Sequence, residues 1–371
     1  MTKNTTPDQR FADLLHHRTH RLAKGDPVAP GIFTATTFHL PEVEGAPFTY
    51  ARVSSPTWHE LEEQLSVLED APCIAFPSGM AAITAALFAS LQSGDTLILP
   101  SDGYYVTRVL GTEFLQGLGI TIIQIPTTGY ATADFTGAKV VYIETPSNPG
   151  LDLCDITDTA ARAHRAGATV IVDNSTMTPL LQRPLDLGAD IVVAADTKAP
   201  AGHSDVLFGH TATRNPALYK RMNDWRRISG SVPGGFEAWL VHRGIETLEL
   251  RMARMCHSAA LIAQRLNTQP KVKNLRYPGL PNDPSHSIAL KQMSGFGYLI
   301  TFDLGTAVAA EAFLSACPYI AQTTSFGGTH TAGERRARWG DQVPPGFIRL
   351  SIGCEPTEPL WNAIETALTQ S

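Results

Sequence analysis

Through the first two-thirds of the chain, apolar residues fall in short runs separated by longer mixed segments. TLILP (96–100), ITIIQI (120–125), KVVYIE (139–144), ATVIVD (168–173) and DIVVAAD (190–196) lack a regular polar face and read as strands buried on both sides. Between them AAITAALFASL (81–91), YVTRVLGTEFL (105–115) and ITDTAARAHRAG (156–167) read as helices. Another helix is expected from Thr57, where Trp58, Leu61, Leu65 and Leu68 recur at helical spacing above the acidic Glu60, Glu62 and Glu63. This alternation predicts an α/β fold: a mostly parallel sheet with helices on both faces and a ligand site at the carboxyl ends of the strands. After about Gly235 the pattern changes. One long helical stretch (236–266) leads to strand-like YLITFDL (298–304), Gly-rich SFGGTHT (325–331) and FIRLSI (347–352). Residues 1–47 show little periodicity and read as an arm, 48–248 as the main domain, and 249–371 as a smaller C-terminal α+β domain.

Composition narrows the function classes. Over 371 residues, 29 Lys+Arg against 35 Asp+Glu give a formal charge of −6. Such mild acidity offers no attraction to nucleic acid or anionic membranes, and neither is expected as a partner. With 43% hydrophobic and 17% charged residues the chain fits a globular enzyme. Five widely spaced cysteines without a CxxC pair disfavour a disulfide framework or a zinc knuckle and suit a reducing cytoplasm. The polar N-terminus resembles neither a signal nor a transit peptide, and no apolar run is long enough to span a bilayer.

No phosphate loop, HExxH helix or GxSxG elbow occurs, and no histidine grouping has metal-ligand spacing, so no metal is expected. Three groups at the ends of buried strands remain: Glu144, Asp173 and Lys198. A lysine just past IVVAA is partly desolvated, which lowers its pKa and exposes a nucleophilic amine. Asp173 lies 198 − 173 = 25 residues upstream, one strand-helix unit away. Together they match the needs of pyridoxal phosphate: an amine for the aldehyde and a carboxylate that keeps the ring nitrogen protonated. In PSGMAAI (77–83), the helix opening at Ser78-Gly79-Met80 provides N–H groups for the phosphate. Taken singly, a strand-end Asp is usually a cap and Gly79 a loop glycine; the ordered combination carries the argument.

Here the sequence resembles the cystathionine γ-synthase/γ-lyase family of pyridoxal-phosphate enzymes. The resemblance runs from about Phe38 to Leu368 through YARVSSPT (50–57), SGMAAI (78–83), SDGYYVTR (101–108), ETPSNP (144–149), VDNSTMTP (172–179), TKAPAGHSD (197–205), RGIETLELRM (243–252), YPGL (277–280), SFGG (325–328) and IRLSIG (348–353). It implies an aspartate-aminotransferase-like large domain. It also implies Lys198 as the coenzyme-bearing amine and proton shuttle, Asp173 on the pyridine nitrogen, Asn148 near the ring hydroxyl, and Tyr104 stacked on the ring and assisting proton transfer. Gly79, Met80 and Thr197 would contact the phosphate, with Tyr50 and Arg52 reaching it from a neighbouring subunit of a homotetramer built as a dimer of dimers. Arg349 would clamp the carboxylate of an amino-acid substrate, helped by Ser325. The other reading of Arg349 is a structural ion pair with Glu355 or another acid.

The expected reaction is γ-elimination on L-cystathionine or a related sulfur amino acid, with γ-replacement on an activated homoserine ester or β-elimination as alternatives. The chain departs from the family pattern at several positions, and the loop from His330 onward is expected to shape the substrate pocket. Ala195 replaces a phosphate-binding serine, Ser55 an asparagine, Val106 a cysteine typical of methionine γ-lyases, and His330 a frequent glutamate; ERRARWGD (334–341) also differs.

Overall fold

The computed structural model describes residues 7–41 and 44–371; residues 1–6, 42 and 43 of the expected arm lie outside the described residues. Seven strands form the large sheet: β1 (Cys73–Phe76), β2 (Thr96–Pro100), β3 (Thr121–Ile125), β4 (Val140–Glu144), β5 (Thr169–Asp173), β6 (Ile191–Ala194) and β7 (Gly209–Ala212). Their order is β1-β7-β6-β5-β4-β2-β3, and only β7 runs against the others. Alternation along each strand divides the core into two layers. Val170 and Val172 face one layer and Ile171 the other; Val192 and the pair Ile191 and Val193 divide likewise. The expected α/β sheet is therefore present. A smaller antiparallel sheet contains β8 (Lys273–Arg276), β9 (Leu299–Asp303), β10 (Ala332–Arg335) and β11 (Phe347–Ser351), in the order β10-β11-β9-β8.

Four local expectations change. β3 is not buried on both faces: it is an edge strand paired only with β2, and Ile123 lies exposed. The long helical stretch is two helices, Gly235–Ile245 and Leu248–Leu266, because Thr247 leaves helical geometry. Glu62, read as part of a polar face, is buried; it accepts from Arg226 Nη1 at 2.5 Å and from Ala75 N at 2.9 Å. The arm contains a helix, Pro7–Leu15, anchored by buried Leu14, beyond which His17 meets His242 with 3.3 Å between ring nitrogens. The helix Pro56–Glu69 does bury Trp58, Leu61, Leu65 and Leu68. Among the described residues no helix is long and apolar enough to cross a membrane.

Candidate active site

Parallel pairing brings the ends of β4 and β5 side by side, so Glu144 and Asp173 are direct register partners. Asp173 is buried; its Oδ2 accepts from Tyr142 Oη at 3.0 Å and its Oδ1 from Ser175 N at 3.0 Å. Burial pushes both carboxyl pKa values up, and at Glu144 the nearby charge of Asp173 adds to the rise. Glu144 Oε2 accepts from Tyr104 N at 2.5 Å. A Cβ at Gly103 would meet the same oxygen at 2.7 Å, so glycine is needed for this approach. Tyr104 thus begins the helix Tyr105–Val109 with its ring half-exposed and edge-on to Tyr105. Its phenol is raised above the usual value by burial first, then by Tyr105, Glu144 and Asp173.

Lys198 lies on the turn after β6. Its Nζ donates to Ser325 Oγ at 2.9 Å and sits 4.9 Å from the centre of the Phe326 ring. Burial and the nearby Arg349 charge lower the amine to about 8, against the opposing pull of Asp173 and Glu334. The turn is tied down from two sides. Thr197 Oγ1 donates to Phe208 O at 3.1 Å and accepts from Phe208 N at 2.9 Å, while Arg251 donates to Ala199 O, Pro200 O and Gly244 O at 2.6, 3.1 and 2.7 Å. A Cβ at Gly244 would lie 2.5 Å from Ala201 O, which is why the break between the two helices packs closely under this turn. Sequence reasoning assigned Arg251 no role, although it lies within RGIETLELRM.

Gly79 opens the helix Gly79–Ser90, whose cap Ser78 accepts from Ala81 N at 3.1 Å. A Cβ at Gly79 would be 2.7 Å from Ala195 Cβ, and one at Gly209 would be 2.7 Å from Gly79 N. Three chain segments pack closely here, and among the described residues the side-chain cap Ser78 accepts from Ala81 N rather than from the first-turn N–H groups of Gly79 and Met80, the groups an anion site would use.

Arg349, on β11, is 3% exposed. Its Nη1 donates to Asn148 Oδ1, and its Nη2 to Ser325 O at 3.0 Å and Glu334 Oε1 at 2.6 Å. Burial and the like charge of Arg336 lower it to about 10. The acid beside Arg349 is therefore Glu334; Glu355 instead accepts from Thr331 N and Oγ1 at 2.6 and 2.7 Å. Glu334 was not singled out, because AGER carries no strand-like apolar signal and its burial depends on β11. Ser325 joins the two centres, its hydroxyl to Lys198 and its carbonyl to Arg349, on a backbone at φ +77° in the left-handed region that non-glycine residues rarely occupy.

Lys198, Ser325, Arg349, Asn148 and Glu334 thus form one connected group, with Asp173 close enough to shift Lys198 electrostatically. Tyr50 and Arg52 stand apart from it. They line a cavity of about 380 Å³ with Phe33, Trp58 and Phe236, in which Lys198, Asp173 and Arg349 take no part.

Comparison with known proteins places the chain in a family. The family model described as "Cys/Met metabolism PLP-dependent enzyme" matches residues 13–369. A putative cystathionine gamma-lyase of Streptomyces coelicolor is 46% identical over 94% of this chain and 90% of that protein. A cystathionine gamma-lyase of Bacillus subtilis is 36% identical over 92% and 94%. The crystal structure of metB from Corynebacterium glutamicum superposes with a TM-score of 0.93 at 32% identity, covering 98% of this chain and 99% of that one. By its sequence and its fold, the chain belongs to the pyridoxal-phosphate-dependent enzymes of cysteine and methionine metabolism.

Proposed function

We propose that the protein is a carbon–sulfur lyase that splits L-cystathionine, or a related γ-substituted amino acid, with water into cysteine, 2-oxobutanoate and ammonia. The observation that carries this reading is an amine lowered to about 8 within one hydrogen-bonded network with a buried arginine. That pairing suits a substrate carrying both an amino and a carboxylate group. Relatives named cystathionine gamma-lyase support the choice of substrate.

The residues present fit pyridoxal phosphate. Lys198 would hold its aldehyde carbon, buried Asp173 its ring nitrogen, Asn148 its ring hydroxyl, and the first-turn N–H groups of Gly79 and Met80 its phosphate. Thr197 would reach the phosphate only by releasing a donor, since its hydroxyl and its backbone N–H both already bond Phe208 O. When bound, the coenzyme supplies an electrophilic carbon and a cationic ring that withdraws electrons from the substrate's α-carbon.

Arg349 orients the substrate through its carboxylate, with Ser325 and Asn148 fixing the guanidinium. Lys198, partly neutral near physiological pH, takes the α-proton and moves protons between neighbouring carbons. Tyr104 keeps its proton, because burial and nearby acids raise its pKa, and gives it to the departing sulfur. Tyr50 and Arg52 reach the phosphate of a neighbouring subunit in a homotetramer.

The deciding experiment supplies cystathionine alone, and separately an activated homoserine ester with cysteine. Formation of 2-oxobutanoate from the first is the expected result. Pyruvate would instead mark a β-lyase, and cystathionine formed from the second a synthase. A colourless protein that retains no pyridoxal phosphate would overturn the reading altogether.

A further inference from the structure

The segment 334–341, which departs from the family pattern, packs directly against the proposed substrate clamp. Glu334 is the register partner of Arg349 across β10 and β11 and is 1% exposed. Its Oε1 accepts from Arg349 Nη2 and Arg336 Nη1, both at 2.6 Å, and its Oε2 from Trp339 Nε1 at 2.7 Å. Arg336 is held in turn by Asp341, at 2.7 Å through Nε and 2.6 Å through Nη2, and Arg338 lies 3.8 Å from Glu334. Arg349 gives three of its five N–H donors to Glu334, Ser325 and Asn148. Glu334 therefore fixes the edge the guanidinium presents, and its charge offsets one of two neighbouring arginines.

Resting on the amino-acid reading of the site, we propose that Glu334 is a positioning residue. It holds Arg349 in the orientation that receives the substrate carboxylate and shields the Lys198 amine from the arginine's charge. A carboxylate braced by Arg336 and Trp339 on a short strand does not swing away when substrate arrives, so the clamp is set before binding. The charged and titratable groups acting on the amine are Arg349, Asp173 and Glu334, with Arg336, Arg338 and Asp341 around Glu334 and Tyr298 near Arg349. Arg349 lowers the amine's proton affinity and Glu334 raises it, so removing the Glu334 charge must move the amine's titration downward.

Two variants separate orientation from charge. In the full chain without coenzyme, trace acetic anhydride labels lysines in proportion to their neutral fraction, and peptide mass spectrometry reads Lys198 against pH. Glu334→Gln should lower the Lys198 midpoint by about one pH unit. Glu334→Asp retains the charge and should leave that midpoint at the wild-type value. In the holoenzyme, however, its shortened reach should raise KM for the amino-acid substrate about tenfold with kcat little changed. A folded Glu334→Gln variant with the wild-type midpoint, or Glu334→Asp with the wild-type KM, would overturn the inference. If Glu334→Gln does not fold, the KM of Glu334→Asp decides. A wild-type protein that turns over no amino acid refutes the function proposed above, while the labelling result still decides the role of Glu334.

Discussion

Lys198 combines two requirements that ordinarily conflict: it must be buried enough to lose its proton, yet remain free to reach a carbon atom. The hydrogen bond of its amine to Ser325 and its position over Phe326 meet both. Lys198→Ala should abolish turnover, and borohydride should fix no coenzyme on the variant chain; a normal rate would remove Lys198 from the mechanism. Ala195 offers a gain rather than a loss. Its Cβ lies against the start of the helix that would hold the phosphate, and a hydroxyl there adds a donor to an anion. Ala195→Ser should tighten pyridoxal phosphate by about 1–2 kcal/mol, roughly tenfold, measured by equilibrium titration of the coenzyme-free protein. At this scale the sequence was informative: Asp173 ends β5 and Lys198 lies on the turn after β6, and the apolar run of each strand announces the burial of the residue beyond it.

Between elements, the turn carrying Lys198 is held by contacts that no local pattern announces. β7 reads GHTA and has no apolar run, yet it lies between β1 and β6. Its His210 is buried with Nδ1 2.9 Å from both Asp196 oxygens and Nε2 3.2 Å from Glu69 Oε1. Burial alone would lower the imidazole, but Asp196 and Glu69 raise it to about 10. A raised folded-state pKa contributes stability that is full below the unfolded value of about 6.5 and is lost as pH rises through about 10. His210→Asn should therefore lower stability by about 3–5 kcal/mol near neutrality, since it leaves two buried carboxylates without their cation. The deficit should shrink between pH 7 and 10 in urea unfolding; a deficit independent of pH would mean that His210 is neutral. Nothing in the spacing of Glu69, Asp196 and His210 suggested this group, because only tertiary packing brings a helix end, the turn after β6 and β7 together.

For the whole molecule, the separation of Tyr50 and Arg52 from Lys198 within one chain is the feature that bears on assembly. Exposed Phe33, Tyr50 and Phe236 surround the cavity in which the pair lies. If these residues complete a neighbour's site, mixing inactive Arg52→Ala and Lys198→Ala variants should restore up to about a quarter of wild-type activity, through subunits that form one intact site. Complete failure of recovery, with subunit exchange verified by mass spectrometry, would show that each chain works alone.

By itself the sequence determined the alternation of strands and helices, the placement of Lys198, Asp173 and Gly79 at strand and helix ends, and the coenzyme these imply. Each of those follows from neighbours within a few positions, where apolar periodicity and helix ends act directly. Only the tertiary structure decided that Arg349 is paired with Glu334 rather than Glu355, that Arg251 and His210 brace the lysine turn, and that β3 is a wet edge. Those outcomes depend on which strands pair and in what register. Segments far apart in the chain set them jointly, through burial and charge neutralisation that no single segment contains.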